Sequence, residues 1–100
     1  MEESSRKSVV LIVDDDPVTR MLMRQSLKTI DLEIHEASNG LEAIAEFNQQ
    51  KPDMTLLDVS MPGMDGFDCC SKLRQLPRGQ ECAIVMVTSL DEVEDIERAF

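Results

Sequence analysis

The sequence has no tryptophan and no tyrosine, and only three phenylalanines in 100 residues. Stacking platforms for nucleobases or a flavin ring are therefore poorly supplied. Basic residues are scarce too: ten Lys and Arg face twenty Asp and Glu, and the net charge of −10 repels nucleic acid and anionic membrane surfaces. Neither direct nucleic-acid binding by this segment nor membrane association is expected, whereas divalent metals and cationic partners are. The longest apolar run, Cys82 to Val87, is far shorter than the roughly 20 residues of a membrane helix. The three cysteines, Cys69, Cys70 and Cys82, form no C-x-x-C spacing and leave one unpaired, which argues against a disulfide framework or a zinc site and fits a reducing cytoplasm. The polar opening, residues 1–8, has no apolar stretch of signal-peptide length after it and reads as a solvated tail. A chain of 100 residues with 42% apolar residues allows one domain and not two, spanning the remainder, 9–100.

What is present is punctuated clearly. Val9 to Val13 is an unbroken aliphatic run ending in Asp14, Asp15 and Asp16, the pattern of a strand buried on both faces. Asp16 with Pro17 supplies an N-cap and a first helical residue, and Val18, Leu22, Met23, Leu27 and Ile30 recur at helical spacing to about Thr29. Glu33 to Ala37 alternates as a half-exposed edge strand, and Ser38-Asn39-Gly40 turns the chain into a second helix with Ala43, Ile44 and Phe47 inward. After Pro52, Met54 to Leu57 is a third strand, again ending in a carboxylate, Asp58. A loop then leads to a helix from Phe67, with Cys70 and Leu73 packed inward. Pro77 and Gly79 close it before a fourth strand, Ala83 to Val87. Ser89 to Glu92 has the form of a capping box, opening a fourth helix with Val93, Ile96 and Phe100 on one face.

Strands and helices in strict alternation imply an α/β doubly wound fold, a parallel sheet with helices on both faces. Ligands of such sheets bind beyond the carboxyl ends of the strands, where Asp14, Asp15, Asp58 and Thr88 all lie. Acids on two strand ends converge if those strands are neighbours, as strand order 2-1-3-4 would make them. Like charges this close raise one another's pKa. A hard divalent cation such as Mg²⁺, which takes oxygen ligands and keeps several waters, resolves the conflict and leaves positions for phosphoryl oxygens. Asp16 reads instead as a helix cap.

Val13-Asp14-Asp15, Leu57-Asp58, Met61-Pro62-Gly63-Met64-Asp65-Gly66 and Val87-Thr88-Ser89 together resemble a response-regulator receiver domain of two-component signalling, from Val9 onward. The resemblance implies a flavodoxin-like sheet of order 2-1-3-4 with a fifth strand absent from this chain. It implies Asp58 as phosphoacceptor, Asp14, Asp15 and Asp58 as Mg²⁺ ligands with the backbone carbonyl of Ser60, and Thr88 as the switch hydroxyl. A carboxylate is a competent nucleophile, and phosphoryl transfer mainly requires positioning and charge neutralisation. Such a domain is a cytoplasmic phosphorelay switch and not a classical enzyme, catalysing only its own phosphotransfer and dephosphorylation. Its partners would be a sensor histidine kinase or phosphotransfer protein upstream and, beyond Phe100, an output domain. DNA binding, a cyclic-dinucleotide enzyme and a stand-alone regulator are all open for the output.

The family also carries a lysine on the fifth strand, preceded by a switch aromatic, and this chain ends at Phe100 before either. Lys51 and Lys72 are no substitutes. A receiver cut there should expose its fourth strand, self-associate through it and phosphorylate poorly. Two other functions compete. Asp14-Asp15-Asp16-Pro17-Val18 fits the D-x-D-x-[TV] motif of haloacid-dehalogenase-type phosphohydrolases with Asp14 as nucleophile, but leaves Asp58 and its loop unexplained. A flavodoxin-like nucleotide-binding module conflicts with the acidic first loop. His35, alone in an alternating strand, reads as an edge-strand surface residue and not a phosphorelay histidine. Cys69 and Cys70 read as core, and Met61 and Met64 as loop packing.

Overall fold

Five consecutive apolar side chains are all buried only in a strand covered on both faces. The computed structural model, which describes residues 7–59, 61 and 63–87, places Val9 to Val13 in such a strand, β1 (Ser8–Val13). There follow α1 (Pro17–Ser26), β2 (Leu32–Ala37), α2 (Gly40–Gln50), β3 (Met54–Asp58), α3 (Gly66–Arg74) and β4 (Ala83–Val87). The strands form one parallel sheet in the order β2-β1-β3-β4, with Val13 opposite Ala37 and Leu57, and Asp58 opposite Val87. The doubly wound class expected from the alternation of strands and helices, and the sheet order that the resemblance implies, are both observed. The fourth helix expected from Ser89 onward lies outside the described residues.

Period-two alternation divides the core between the two faces. Val10, Ile12, Leu56 and Val87 face α1 and meet Met23 and Leu27. Leu11, Val13 and Leu57 face the other way, onto Ala43 and Phe47 of α2 and Cys69 and Leu73 of α3. Met61 is buried in this second layer, and Met64 packs against it, so both loop methionines are packing residues. Among the described residues no helix is long and apolar enough to cross a membrane.

Helix ends follow local chemistry. The Asp16 carboxylate accepts hydrogen bonds from the Val18 amide (3.0 Å) and the Thr19 hydroxyl (2.8 Å), capping α1 ahead of Pro17. These bonds, the Thr19 hydroxyl foremost, hold the Asp16 pKa below the usual carboxylate range. Asn39 caps α2 through the Glu42 amide, and Glu42 reaches back to the Ser38 amide (2.8 Å) and hydroxyl (2.6 Å). Lys51 ends that helix in the left-handed region (φ 51°), just before Pro52. Asp65 caps α3, a signal the sequence reading passed over.

Three packing expectations are corrected. α1 ends at Ser26, because the chain tightens into i to i+3 bonds at Leu27, Lys28 and Ile30. Its inward stripe is Met23 and Leu27, while Val18 and Leu22 are exposed. The helix is rotated so that Arg20, which shares the Met23 stripe, turns toward β1 and β2. In α3 the residue on the core face is Cys69, four positions before Leu73, and Cys70 only flanks it. Burial, with the neighbouring Cys70 sulfur adding, pushes the Cys69 thiol up to about 11, in keeping with a core residue.

Candidate functional site

β1 and β3 are adjacent and parallel; β3 ends on Asp58, and Asp14 directly follows the last residue of β1. The register that pairs Val13 with Leu57 brings Asp14 beside Asp58, with Asp15 one residue further on. Asp14, Asp15 and Asp58 each offer a carboxylate oxygen, all within 4.8 Å of one another. Three carboxylate oxygens gathered this closely form an all-oxygen donor set of the kind that a hard cation such as Mg²⁺ takes.

The three acids differ in setting. Asp14 is buried (6% exposed), Asp58 half-buried and Asp15 exposed. Asp14 Oδ1 accepts from the Asp16 amide at 2.9 Å, and its own amide donates to the Ala37 carbonyl at 3.1 Å. Burial pushes its pKa up. The Asp16 amide opposes this, and the charges of Asp58, Asp15 and Asp16 add to it. Asp14 is thus the more enclosed of the two strand-end acids, and Asp58 the more accessible.

The loop beneath Asp58 is tight. The Gly66 amide donates to the Val59 carbonyl at 3.0 Å, and a Cβ at Gly66 would run into the backbone of Asp58 and Val59, so only glycine permits this approach. Gly40, at the start of α2, is likewise filled by Met64. Of the other expected site residues, Ser60 and Thr88 lie outside the described residues. Lys51 follows α2 and Lys72 sits in the last turn of α3. His35 lies on the edge strand β2 with Nε2 at 2.7 Å from Glu33, as a surface residue would.

One part of the site's surroundings was not anticipated. Arg20 Nη1 donates to the Asp14 carbonyl oxygen at 2.6 Å and its Nε to Glu36 at 2.9 Å, while Arg24 Nε binds the other Glu36 oxygen at 2.8 Å. Burial alone would raise the Glu36 pKa, but the two guanidiniums outweigh it and hold the carboxylate below its usual range. The available signal was the spacing of Arg20 and Arg24, one turn apart on a helix that follows the acids.

A doubly wound parallel sheet with three converging aspartates at the ends of its two central strands defines the class. Residues 10–100 match the family model of the response regulator receiver domain, and the chain belongs to that family. It is 37% identical over 91 residues to a probable transcriptional regulator, ycf27, of Pyropia yezoensis, covering 91% of this chain and 36% of that protein. It is 32% identical over 91 residues to the DNA-binding dual master transcriptional regulator RpaA of Synechocystis, covering 91% of this chain and 38% of that one. Among solved structures, the Vibrio cholerae chemotaxis protein CheY4 superposes with a TM-score of 0.77 at 27% identity, over 93% of this chain and 80% of that one. The chain spans little more than a third of the length of these two transcriptional regulators. A receiver domain is a signalling switch and not a classical enzyme.

Proposed function

We infer that Asp58 is the phosphoacceptor of this receiver and that Asp14 and Asp15, with the Ser60 backbone carbonyl, hold Mg²⁺. The observation that carries this is the convergence of three carboxylates at the ends of β1 and β3. An Asp58 oxygen attacks the phosphorus of a phosphohistidine on a sensor kinase or phosphotransfer protein. The P–N bond breaks, its electron pair leaves with the imidazole nitrogen, which takes up a proton, and an acyl phosphate remains on Asp58. Bound Mg²⁺ supplies neutralisation of the phosphoryl oxygens. Attack of water on the same phosphorus later returns the carboxylate and releases inorganic phosphate. The Thr88 hydroxyl turns toward the phosphoryl group and carries the fourth strand and helix with it. The domain works in the cytoplasm, and the relatives' names favour a DNA-binding output domain under its control. Substitution tests the assignment: with Mg²⁺ and acetyl phosphate, Asp58→Asn should abolish acyl-phosphate formation, whereas a hydrolase would lose its activity through Asp14→Asn and keep it in Asp58→Asn.

A further inference from the structure

The cluster of Arg20, Arg24 and Glu36 joins α1 to β2 and touches the backbone of Asp14, just beyond β1. Its geometry bears on how the acids are presented. The Asp14 amide is tied to β2 through Ala37, and the Asp14 carbonyl is tied to α1 through Arg20 Nη1 at 2.6 Å. That carbonyl belongs to the planar peptide that also contains the Asp15 nitrogen and Cα, so fixing its oxygen fixes where Asp15 departs from the strand. The Arg20 side chain is only 16% exposed. Its Nε is taken by Glu36 Oε1 at 2.9 Å and its Nη1 by the neutral Asp14 carbonyl oxygen. Glu36 is itself held from its other oxygen by Arg24 at 2.8 Å.

We propose that Arg20, aimed by Glu36, is a positioning residue of the acid site: it fixes the Asp14–Asp15 peptide plane so that both carboxylates meet a divalent cation already oriented. This rests on the reading of Asp14, Asp15 and Asp58 as a Mg²⁺ site. Groups that orient metal ligands typically contribute 10- to 100-fold to affinity. Lysine cannot replace the fork, because one ammonium does not serve Glu36 and the carbonyl in the same geometry.

The test is calorimetric titration of the 100-residue chain with Mg²⁺, paired with a thermal melt of each variant and with the rate of labelling by phosphoramidate. Arg20→Ala and Arg20→Lys should each weaken Mg²⁺ binding by about tenfold. Glu36→Gln should do the same by loosening the charge-assisted bond that aims the guanidinium at the Asp14 carbonyl. Labelling should return toward the wild-type rate once Mg²⁺ is saturating, which separates a positioning role from a loss of chemistry. Arg74→Ala is the matched control. Arg74 donates to the Gly79 and Cys82 carbonyls at 2.8 and 2.7 Å in the α3–β4 connection, so its loss should lower the melting temperature and leave Mg²⁺ affinity unchanged. Mg²⁺ binding by Arg20→Lys equal to wild type, or an equal loss in Arg74→Ala, overturns the proposal while leaving the metal site standing. Failure of the wild-type chain to bind Mg²⁺ overturns the metal reading itself, and the positioning role with it.

Discussion

Replacing Asp14 by Asn should stabilise the metal-free chain and abolish its response to Mg²⁺. Asparagine keeps the side chain's size and an oxygen for the Asp16 amide, which Asp14 Oδ1 now accepts at 2.9 Å. What it removes is a charge within 4.8 Å of two others. At that separation each repulsion is about 1 kcal/mol at a water-like dielectric and about 3 kcal/mol at an effective value of 20. With Asp15 exposed and Asp58 half-buried the sum lies nearer the lower figure, so a gain of about 1–2 kcal/mol is expected, or about 5–10 °C in melting temperature. The sign with pH follows from the raised Asp14 pKa. The folded chain keeps a proton that the unfolded chain releases first, so the stability from protonated Asp14 is complete below the ordinary carboxylate pKa. It is lost as pH rises through the raised one. Asp14→Asn should lack that decline. Added Mg²⁺ reverses the ranking: at about one hundred times its Kd it stabilises the wild type by about 2.7 kcal/mol, while the variant gains little. Differential scanning calorimetry in EDTA and in Mg²⁺, across pH 4 to 8, measures all of this. A lower melting temperature for Asp14→Asn in EDTA, or an undiminished Mg²⁺ response, would refute the reasoning.

Two further substitutions probe the scaffold. Gly66→Ala places a Cβ against the backbone of Asp58 and Val59, so it should cost about 1–3 kcal/mol in a melt and slow Asp58 labelling together, because the strand end itself must shift. Phe47→Ala empties a fully buried position in the layer between α2 and the sheet and should cost about 3–5 kcal/mol by urea denaturation, while the fraction still folded labels at the wild-type rate.

The strands and their acids were legible because the signal is one-dimensional: a short aliphatic run stopped by carboxylates can be read without knowing what lies beside it. Strand order was not legible in that way. Periodicity places Asp14 and Asp58 at strand ends but says nothing of whether β1 and β3 touch, and only the resemblance of the whole motif set made them neighbours. Rotation of a helix about its axis was lost for the same reason. α1 carries apolar residues on more than one face, and what distinguishes Met23 and Leu27 from the exposed Val18 and Leu22 is their packing on Val10, Ile12 and Leu56, contacts that periodicity alone does not give. Cys69 and Cys70 are one position apart, so both fit the Leu73 face and only packing against Leu57 and Phe47 decides. Arg20 and Glu36 escaped notice because each alone is an ordinary charged residue, on a helix and on an edge strand.

The most direct test of the central claim is to locate the phosphoryl group. The chain is incubated with phosphoramidate, digested at low pH and mapped by tandem mass spectrometry, with and without EDTA. The account predicts one Mg²⁺-dependent, hydroxylamine-sensitive modification, on Asp58, absent from Asp58→Asn. A modification on Asp14, or one that persists in Asp58→Asn or in EDTA, would contradict it.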